Sequence, residues 1–416
     1  MTAPGRIRDD ASRADWATGE GRRLIAFARG SRHRDGFGWL DEDGRIDPDR
    51  PVETYITARM TYVFALAQLL GDEDVVELID HGLTSMSSVL RDEQFGGWFH
   101  STRREDRKDA YDHAFVVLAA ATAVTAGRPG ARALLDDALE CVEHRFWDVQ
   151  DGLSLDGWDR RWRTPEAYRG ANANMHLVEA FLAASDATGD PVWRLRALGI
   201  AQRLIDGEAR AQHWRLPEHY DPNWVVRLEY NADNPAHPFR PYGATVGHWL
   251  EWARLLVHLH VALADPPAWL LEDAQALFAT AVEQGWAVDG APGLVYTVDW
   301  DGRPVVRQRM HWVLAEGLAA AAVLARCTGE SSYRDWEQRW WAYADRFLID
   351  LARGGWHQEL DEQNRPAATV WPGKPDVYHP YQPTILTRAP LASSVGAAAV
   401  ALRDGSTRGG GVCRPE

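Results

Sequence analysis

Five histidines lie at or near the starts of segments with helical hydrophobic spacing, where they could act in proton transfer. They are His113, His176, His248, His311 and His379. An imidazole changes its charge near neutral pH, so histidine is the side chain best suited to exchanging protons there. If the helices that carry these residues begin at one rim of the molecule, the side chains come from different segments and meet at one opening. The pattern predicts a site for acid/base chemistry.

Two of these histidines are followed three residues later by a glutamate, in the pairs His176/Glu179 and His248/Glu251. On a helix this spacing places both side chains on one face. The glutamate can orient a catalytic imidazole, or the two groups can bind a metal together with residues of facing helices. Only Glu316 offers a further carboxylate on a neighbouring helix. We therefore expect no metal and no other cofactor, with a metal centre as the alternative.

Arginine and aromatic side chains supply the means to bind a polar ring. Arg59 lies inside an apolar helical segment, and a buried guanidinium cannot lose its charge. Arg240 lies in the loop segment NPAHPFRPYG, where it can hold sugar hydroxyls or a carboxylate, or can brace the loop through a salt bridge. The chain also contains 20 Trp, 12 Tyr and 11 Phe, and such rings pack against the C–H face of a sugar.

The charge balance limits the partners. There are 45 Lys and Arg against 60 Asp and Glu, which gives a formal net charge of −15. An acidic surface repels phosphate backbones and anionic lipid heads, so we expect neither nucleic acid nor a membrane as a partner. No apolar run approaches the roughly 20 residues that span a bilayer, and the first ten residues lack the apolar core of a secretory signal. We expect a cytoplasmic protein that acts on a small molecule, as a monomer or a homo-oligomer.

Short segments rich in Gly, Trp and Asp recur along the chain and indicate a structural repeat. Asp-Gly and Asn-Arg-Pro between short aromatic runs are typical of β-hairpins. The copies follow one another at intervals of about 60 residues, with one longer interval of about 80. They begin at Gly36, Phe95, Asp151, His213, Pro292 and Gly354.

Two helical stretches lie between successive hairpins. One of each pair is rich in Ala and Leu and apolar on more than one face, which is typical of an interior helix. These inner stretches are Glu53–Leu70, Ala110–Thr125, Asn172–Thr188, Val246–Ala264 and Met310–Cys327. The other member carries more charge on one side and fits an outer layer. The outer stretches are Asp74–Leu90, Arg132–Arg145, Pro191–Glu208, Trp269–Gly285 and Tyr333–Leu351.

Six copies of this unit predict an all-α (α/α)6 barrel of about twelve helices with short β-hairpins at one rim. The alternative is an open helical solenoid, which would leave its two end faces exposed. Closure into a ring removes both of these faces. The chain contains no internal linker rich in Pro, Gly or Ser. We therefore predict a single barrel domain over residues 13–403, a flexible N-terminus over residues 1–12 and a flexible C-terminal tail over residues 404–416.

Other chemistries have less support in the sequence. The chain contains neither a phosphate-binding glycine loop nor a Gly-x-Ser-x-Gly elbow in the required context. A glycosidase built on a helical barrel needs a pair of carboxylates. Its candidates are Asp112, Asp156, Glu251 and Glu316. A barrel that binds carbohydrate or protein without catalysis is a further alternative.

Three long segments resemble the N-acylglucosamine 2-epimerase superfamily. They are YRGANANMHLVEAFLAASDATGD (Tyr168–Asp190), NPAHPFRPYGATVGHWLEWARLL (Asn234–Leu256) and GKPDVYHPYQ (Gly373–Gln382). Within the superfamily they are most similar to the aldose–ketose isomerase branch, which contains mannose isomerase and sulfoquinovose isomerase. The resemblance extends from about Trp16 to Leu402, and the fold of that superfamily is also an (α/α)6 barrel.

The resemblance implies a metal-independent isomerase that moves a proton between C2 and C1 of an opened sugar through a cis-enediol. His248 and His379 match the paired acid/base histidines. We assign the C1/C2 proton shuttle to His379 and ring opening to His248, with the reverse assignment as the alternative. The positions that match sugar-binding residues or the pocket wall are Arg59, Tyr111, Asn172, His176, Arg240, Glu251, Trp312 and Glu316.

The resemblance also limits the sugar. We favour D-mannose and D-fructose, with D-lyxose and D-xylulose as a second pair. A sulfoquinovose isomerase would require additional cationic contacts to a sulfonate, which Arg240 could supply. A 2-epimerase that converts mannose into glucose would share the enediol intermediate and differ only in how the sugar turns before it is reprotonated.

Overall fold

A computed structural model of the chain describes residues 10–405. The described part contains thirteen α-helices, three of which, α5, α7 and α11, continue in π geometry. Their bounds are α1 Asp10–Ala28, α2 Thr54–Leu69, α3 Val76–Met86, α4 Ala110–Thr125, α5 Ala131–Cys141, α6 Ala171–Thr188, α7 Pro191–Ala201, α8 Val246–Ala262, α9 Trp269–Gly285, α10 His311–Thr328, α11 Ser331–Tyr343, α12 Tyr378–Leu386 and α13 Val395–Arg403.

Six helices, α2, α4, α6, α8, α10 and α12, form the inner layer. Their sequences are apolar around most of the circumference, so they are stable only where other helices cover every side. In α4, for example, all residues except Tyr111, Val124 and Thr125 are buried. The abundant alanines let neighbouring inner helices approach closely, since a methyl group adds little width to a helix.

The inner helices close into a ring, because each contacts the next and α12 contacts α2. The outer helices α3, α5, α7, α9 and α11 pack on the inner helices α2, α4, α6, α8 and α10, respectively. The outer partner of α12 is α1, so the start of the chain completes the sixth pair. Helix α13 contacts α2, α6 and α12 near the ends of the inner helices that lie opposite the hairpins.

Short antiparallel strands lie at the rim where the inner helices begin. The pairs are β1 (Arg32–His33) with β2 (Gly36–Phe37), β3 (Arg107–Asp109) with β6 (Gly157–Asp159), β4 (Trp147–Asp148) with β5 (Leu153–Ser154), β7 (Arg169–Gly170) with β8 (His219–Tyr220), β9 (Ala244–Thr245) with β10 (Thr297–Val298), and β12 (Glu359–Leu360) with both β11 (Arg309–Met310) and β13 (Pro366–Ala367). The strands that lead directly into α4, α6, α8 and α10 are β3, β7, β9 and β11, and each of them pairs with a strand that lies later in the chain.

One turn recurs in the rim hairpins and explains the sequence repeat. An aspartate Oδ1 accepts hydrogen bonds from the backbone N–H groups two and four residues later, as at Asp41, Asp159, Asp221, Asp299 and Asp361. Ser101 begins the equivalent turn of the second copy. The third residue after each of the six is left-handed; these residues are Gly44, Arg104, Trp162, Trp224, Gly302 and Asn364.

The predicted (α/α)6 barrel with rim hairpins is confirmed, and the contact of α12 with α2 excludes the open solenoid. The flexible ends predicted over residues 1–12 and 404–416 lie almost wholly outside the described residues, and the single domain over residues 13–403 stays a prediction. Among residues 10–405, no helix combines the length and the apolar composition needed to cross a membrane.

Candidate active site

A cavity opens at the rim, where the inner helices begin. Four of the five predicted histidines line it, so we name it the histidine cavity: His176, His248, His311 and His379. Eight of the ten predicted site residues face it, namely Arg59, Tyr111, Asn172, His176, His248, Glu251, Trp312 and His379. The fifth histidine, His113, is fully buried outside it, where its Nε2 accepts the N–H of Trp98.

His248 and His379 each pair with a buried glutamate. The Nδ1 atom of His248 lies 2.8 Å from Glu218 Oε1, and that of His379 lies 2.8 Å from Glu316 Oε1. A carboxylate that accepts a hydrogen bond from Nδ1–H fixes the tautomer and leaves Nε2 free to exchange protons. The two pairs therefore present equivalent imidazole nitrogens to the cavity.

Trp312 lies between these two histidines. Its ring centroid is 5.3 Å from that of His248 and 5.5 Å from that of His379. Gly247 permits this close approach, because a Cβ atom there would lie 2.2 Å from the indole. The indole wall and its two flanking histidines therefore form one continuous surface of suitable size for one monosaccharide.

The pKa of His379 is well below its usual value. Burial disfavours the charged imidazolium, and the nearby Arg59 guanidinium lowers the pKa further. His379 is therefore uncharged at neutral pH and can accept a proton. Burial likewise lowers the pKa of His176 to about 4, so this ring is also neutral.

Arg59 is held rigidly in the wall of the cavity. Its Nη2 atom donates to Tyr111 Oη at 2.7 Å, and its Nη1 atom donates to Asp376 Oδ2 at 3.2 Å. The guanidinium also lies over the rings of Phe115 and Tyr378, at 4.4 and 4.7 Å from their centroids. A fixed cation in a buried site can stabilise negative charge that develops on a bound molecule.

Beneath the cavity, the fully buried Arg254 contacts the carboxyl groups of three glutamates. It lies 2.8 Å from Glu316 Oε2, 3.3 Å from Glu179 Oε1 and 3.5 Å from Glu251 Oε1. Burial opposes ionisation of Glu179, but Arg254 outweighs it and the pKa falls to about 2. Burial and the Glu316 charge instead raise the pKa of Glu251 well above its usual value. Of these three glutamates, Glu251 is the one that lines the histidine cavity.

The same carboxylates and imidazoles lie close enough together to hold a cation. Two groups could do so, His176 with Glu179 and Glu251, and Glu251 with Glu316 and His379. Arg254 contacts all three carboxyl groups and places one positive charge among them. Metal-independent chemistry stays the prediction.

Two predicted site residues lie elsewhere. Glu316 was expected in the pocket wall, but it lies behind His379, between that ring and Arg254. Arg240 does not line the histidine cavity. Its guanidinium makes a two-pronged salt bridge to Glu166, with distances of 2.7 and 3.0 Å, and covers the Tyr168 ring. This is the loop-bracing contact that the sequence left as the alternative.

The loop that carries Arg240 covers the site. Phe239 packs its ring against Tyr55, Tyr111 and Trp371, with a centroid distance of 4.9 Å to Trp371. The loop belongs to the one long interval of the repeat, between the turns at residues 221 and 299. The additional residues of that interval thus form the roof of the cavity.

A second cavity adjoins the first beyond Tyr111, Asn172 and Phe239. We name it the carboxylate cavity, because four acidic side chains line it: Glu105, Asp109, Asp112 and Asp156. His100 pairs with Asp112 at 2.9 Å, and the Asp112 carboxylate raises the pKa of His100 to about 10. Two of the glycosidase candidates, Asp112 and Asp156, thus lie apart from the paired histidines.

The sequence analysis missed Glu218 and Asp376. Asp376 lies in the segment GKPDVYHPYQ, three residues before His379, and could have been found there. Glu218 lies three residues before the turn aspartate Asp221, in the most degenerate copy of the repeat. Tyr296 and Gln358, which line the cavity, occupy the same position in later copies. An alignment of the copies on the turn residue would have revealed this position.

Comparison with known proteins agrees with this architecture. A family model described as N-acylglucosamine 2-epimerase (GlcNAc 2-epimerase) matches residues 36–383. The chain is 53% identical to a D-mannose isomerase of Thermobifida fusca, in an alignment that covers 93% of this chain and 97% of that protein. It is 47% identical to a D-mannose isomerase of Pseudomonas cannabina pv. alisalensis, with coverages of 93% and 95%.

A solved structure is also similar. The crystal structure of a D-mannose isomerase superposes with a TM-score of 0.85 at 28% identity, and the match covers 93% of this chain and 99% of that one. The residues matched by the family model include the histidine cavity and its roof. The chain therefore belongs to the N-acylglucosamine 2-epimerase family.

Proposed function

We propose that the protein is an isomerase that interconverts D-mannose and D-fructose by proton transfer between C2 and C1. One observation carries the proposal: two buried histidine–glutamate pairs flank Trp312 in a single cavity that Arg59 also lines. The D-mannose isomerases that are 53% and 47% identical to the chain support the choice of sugar.

His379 is the proposed base for the C–H next to the sugar carbonyl. That proton is weakly acidic, and its removal requires a neutral base on one side and stabilisation of the enediolate oxygens on the other. The lowered pKa of His379 keeps the imidazole neutral, with Glu316 on Nδ1. Arg59 provides the fixed positive charge toward the oxygens. The same imidazole then returns the proton to C1, while the hydroxyl proton on the C2 oxygen passes to the C1 oxygen, so that the C2 carbonyl of the ketose forms.

His248 is the proposed acid/base for ring opening. The pyranose must open before C2 becomes acidic, which requires a proton to leave the anomeric hydroxyl and another to reach the ring oxygen. His248 faces the same cavity from the other side of Trp312, and Glu218 can stabilise its protonated form. The remaining polar groups of the wall, Asn172, His176 and Glu251, are proposed to bind hydroxyls.

The roof makes a neutral sugar the better fit. A sulfonate would need a free cation, and Arg240, the residue that the sequence offered for this purpose, is paired with Glu166. Trp312 and Tyr111 give the cavity flat faces for the C–H side of a sugar ring. These features support mannose over sulfoquinovose.

The test is incubation with D-mannose in D2O, followed by NMR, with EDTA in a parallel sample. We expect fructose as the first product, loss of the C2 proton signal and equal rates in both samples. Glucose as the first product would establish a 2-epimerase, and a rate abolished by EDTA would establish a metal enzyme. Release of monosaccharide from an oligosaccharide would contradict the proposal in favour of a glycosidase.

A further inference from the structure

The position three residues before the turn aspartate has the same backbone role in four copies of the repeat. Its carbonyl accepts a hydrogen bond from the first N–H of an inner helix, a group that has no partner within the helix. The bonds run from Ala110 to Asp156, Ala171 to Glu218, Val246 to Tyr296 and His311 to Gln358. Each of these four side chains is thereby placed at the mouth of the barrel.

Glu218 differs from the other three in what its side chain reaches. Its backbone carbonyl holds the start of α6, while its carboxylate crosses to α8 and contacts His248 Nδ1 at 2.8 Å. Only 4% of Glu218 and 9% of His248 are exposed. By contrast, Asp156 Oδ2 accepts the backbone N–H of Gly170 and approaches no histidine with a hydrogen bond in the described part of the chain.

Glu251, three residues after His248 on the same helix, is not the partner of that histidine. Its Oε1 atom lies 3.7 Å from His176 Nδ1 and 3.5 Å from Arg254 Nη2, on the floor of the cavity. The helical spacing that suggested a His248/Glu251 pair therefore brings Glu251 to a different imidazole. The carboxylate that can orient His248 comes from another repeat.

We infer that Glu218 is the positioning residue of His248. It fixes Nδ1–H, directs Nε2 toward the cavity and stabilises the imidazolium that forms when His248 takes a proton from the sugar. This inference rests on the proposed function for its catalytic consequence. The hydrogen bond itself can be tested without any substrate.

Two substitutions of Glu218 distinguish its orientation of the His248 ring from the effect of its negative charge. Glu218→Gln keeps an oxygen that can accept Nδ1–H but loses the negative charge, and should lower kcat about 10-fold. Glu218→Leu loses both and should lower kcat about 100-fold. KM should change little in either variant, since Glu218 does not line the cavity. The matched control is Asp156→Asn, at the equivalent position of the preceding copy, which should leave kcat unchanged.

The second measurement is NMR of protein labelled with 15N-histidine, with the His248 signals assigned from a His248→Asn sample. The wild type should show His248 as the Nδ1–H tautomer with a slowly exchanging imidazole proton, and Glu218→Leu should lose that proton. An unchanged His248 signal in Glu218→Leu would overturn the inference. So would a KM increase with unchanged kcat. Failure of the wild type to isomerise mannose would instead contradict the proposed function and leave the NMR result to decide the role of Glu218.

Discussion

The two cavities at the rim share one wall but are lined by different ionisable groups. Histidines dominate one cavity, and carboxyl groups dominate the other. Burial acts on both, and it favours the neutral form of every ionisable group. In the histidine cavity it lowers the pKa of His176 to about 4, whereas in the carboxylate cavity it raises the pKa of Asp156 to about 7. The same desolvation therefore yields neutral bases on one side of Tyr111 and Asn172 and a neutral acid on the other.

This comparison is the reason why we propose that the histidine cavity carries out the chemistry. In the histidine cavity, His248 and His379 have one ring nitrogen held by glutamate and the other available. In the carboxylate cavity, the carboxyl groups of Asp112 and Asp156 already form hydrogen bonds within the protein. Asp112 pairs with His100, and Asp156 accepts a backbone N–H. We therefore expect substitutions in the histidine cavity to lower activity, and substitutions in the carboxylate cavity to change the structure or stability instead.

The largest effect is expected for His379→Asn. Loss of the base should lower kcat for mannose about 1000-fold and abolish C2–H exchange, while the helical circular dichroism spectrum stays that of the wild type. His100→Asn, which removes the paired histidine of the carboxylate cavity, is the matched control and should stay within about 3-fold of wild-type kcat. Comparable losses in the two variants would contradict the assignment of catalysis to one cavity.

A smaller effect is expected for Arg240→Ala, whose side chain holds the roof from the carboxylate side. The loop should lose order, which raises KM about 5-fold and changes kcat little. Glu166→Gln should reproduce the effect, and the double variant should be no worse than either single variant, because both remove one salt bridge. Additive losses in steady-state kinetics would show that Arg240 contacts the sugar directly.

The smallest effect on activity is expected for Asp156→Asn, which should act on stability instead. The folded protein holds a proton on Asp156 between about pH 3.8 and pH 7, where the unfolded chain has lost it. The stability contributed by this group is therefore present at low pH and lost as pH rises through that window. The variant should be about 2 kcal/mol more stable than wild type at pH 8 and equal to it at pH 4, as measured by urea unfolding. Lower stability of the variant at pH 8 would show that Asp156 is a stabilising anion.

The barrel and the histidines could be predicted from local patterns in the sequence, whereas Tyr111, Asn172 and Trp312 were implied only by the resemblance to the family. Apolar periodicity identifies the inner helices, and a histidine near the start of such a helix must lie at the rim. The carboxylate partners could not be predicted in this way. Glu218 and Glu316 contact their histidines across sequence separations of 30 and 63 residues, so only the assembled ring brings them together.

Arg240 shows that a sequence motif does not determine the contacts that its residues make. Its sequence segment matches the superfamily, yet its guanidinium is directed by Glu166, which lies 74 residues earlier in the chain. A motif fixes which residue is present but not which neighbour satisfies its charge. The interval between Asp221 and Asp299 was visible as a longer spacing, although its role as a roof depends on the packing of Phe239 against Trp371.

The closure of the ring by α1 and α12 has a consequence for how the protein is made. Thr18 and Arg388, which are hydrogen-bonded across this seam, are separated by 370 residues. Because α1 precedes α12 in the chain, the apolar side of α1 is synthesised long before the helix that covers it. Until α12 has been made, the growing chain carries an uncovered apolar edge that can associate with other nascent chains, and protection of this edge by a chaperone would improve the yield of folded protein.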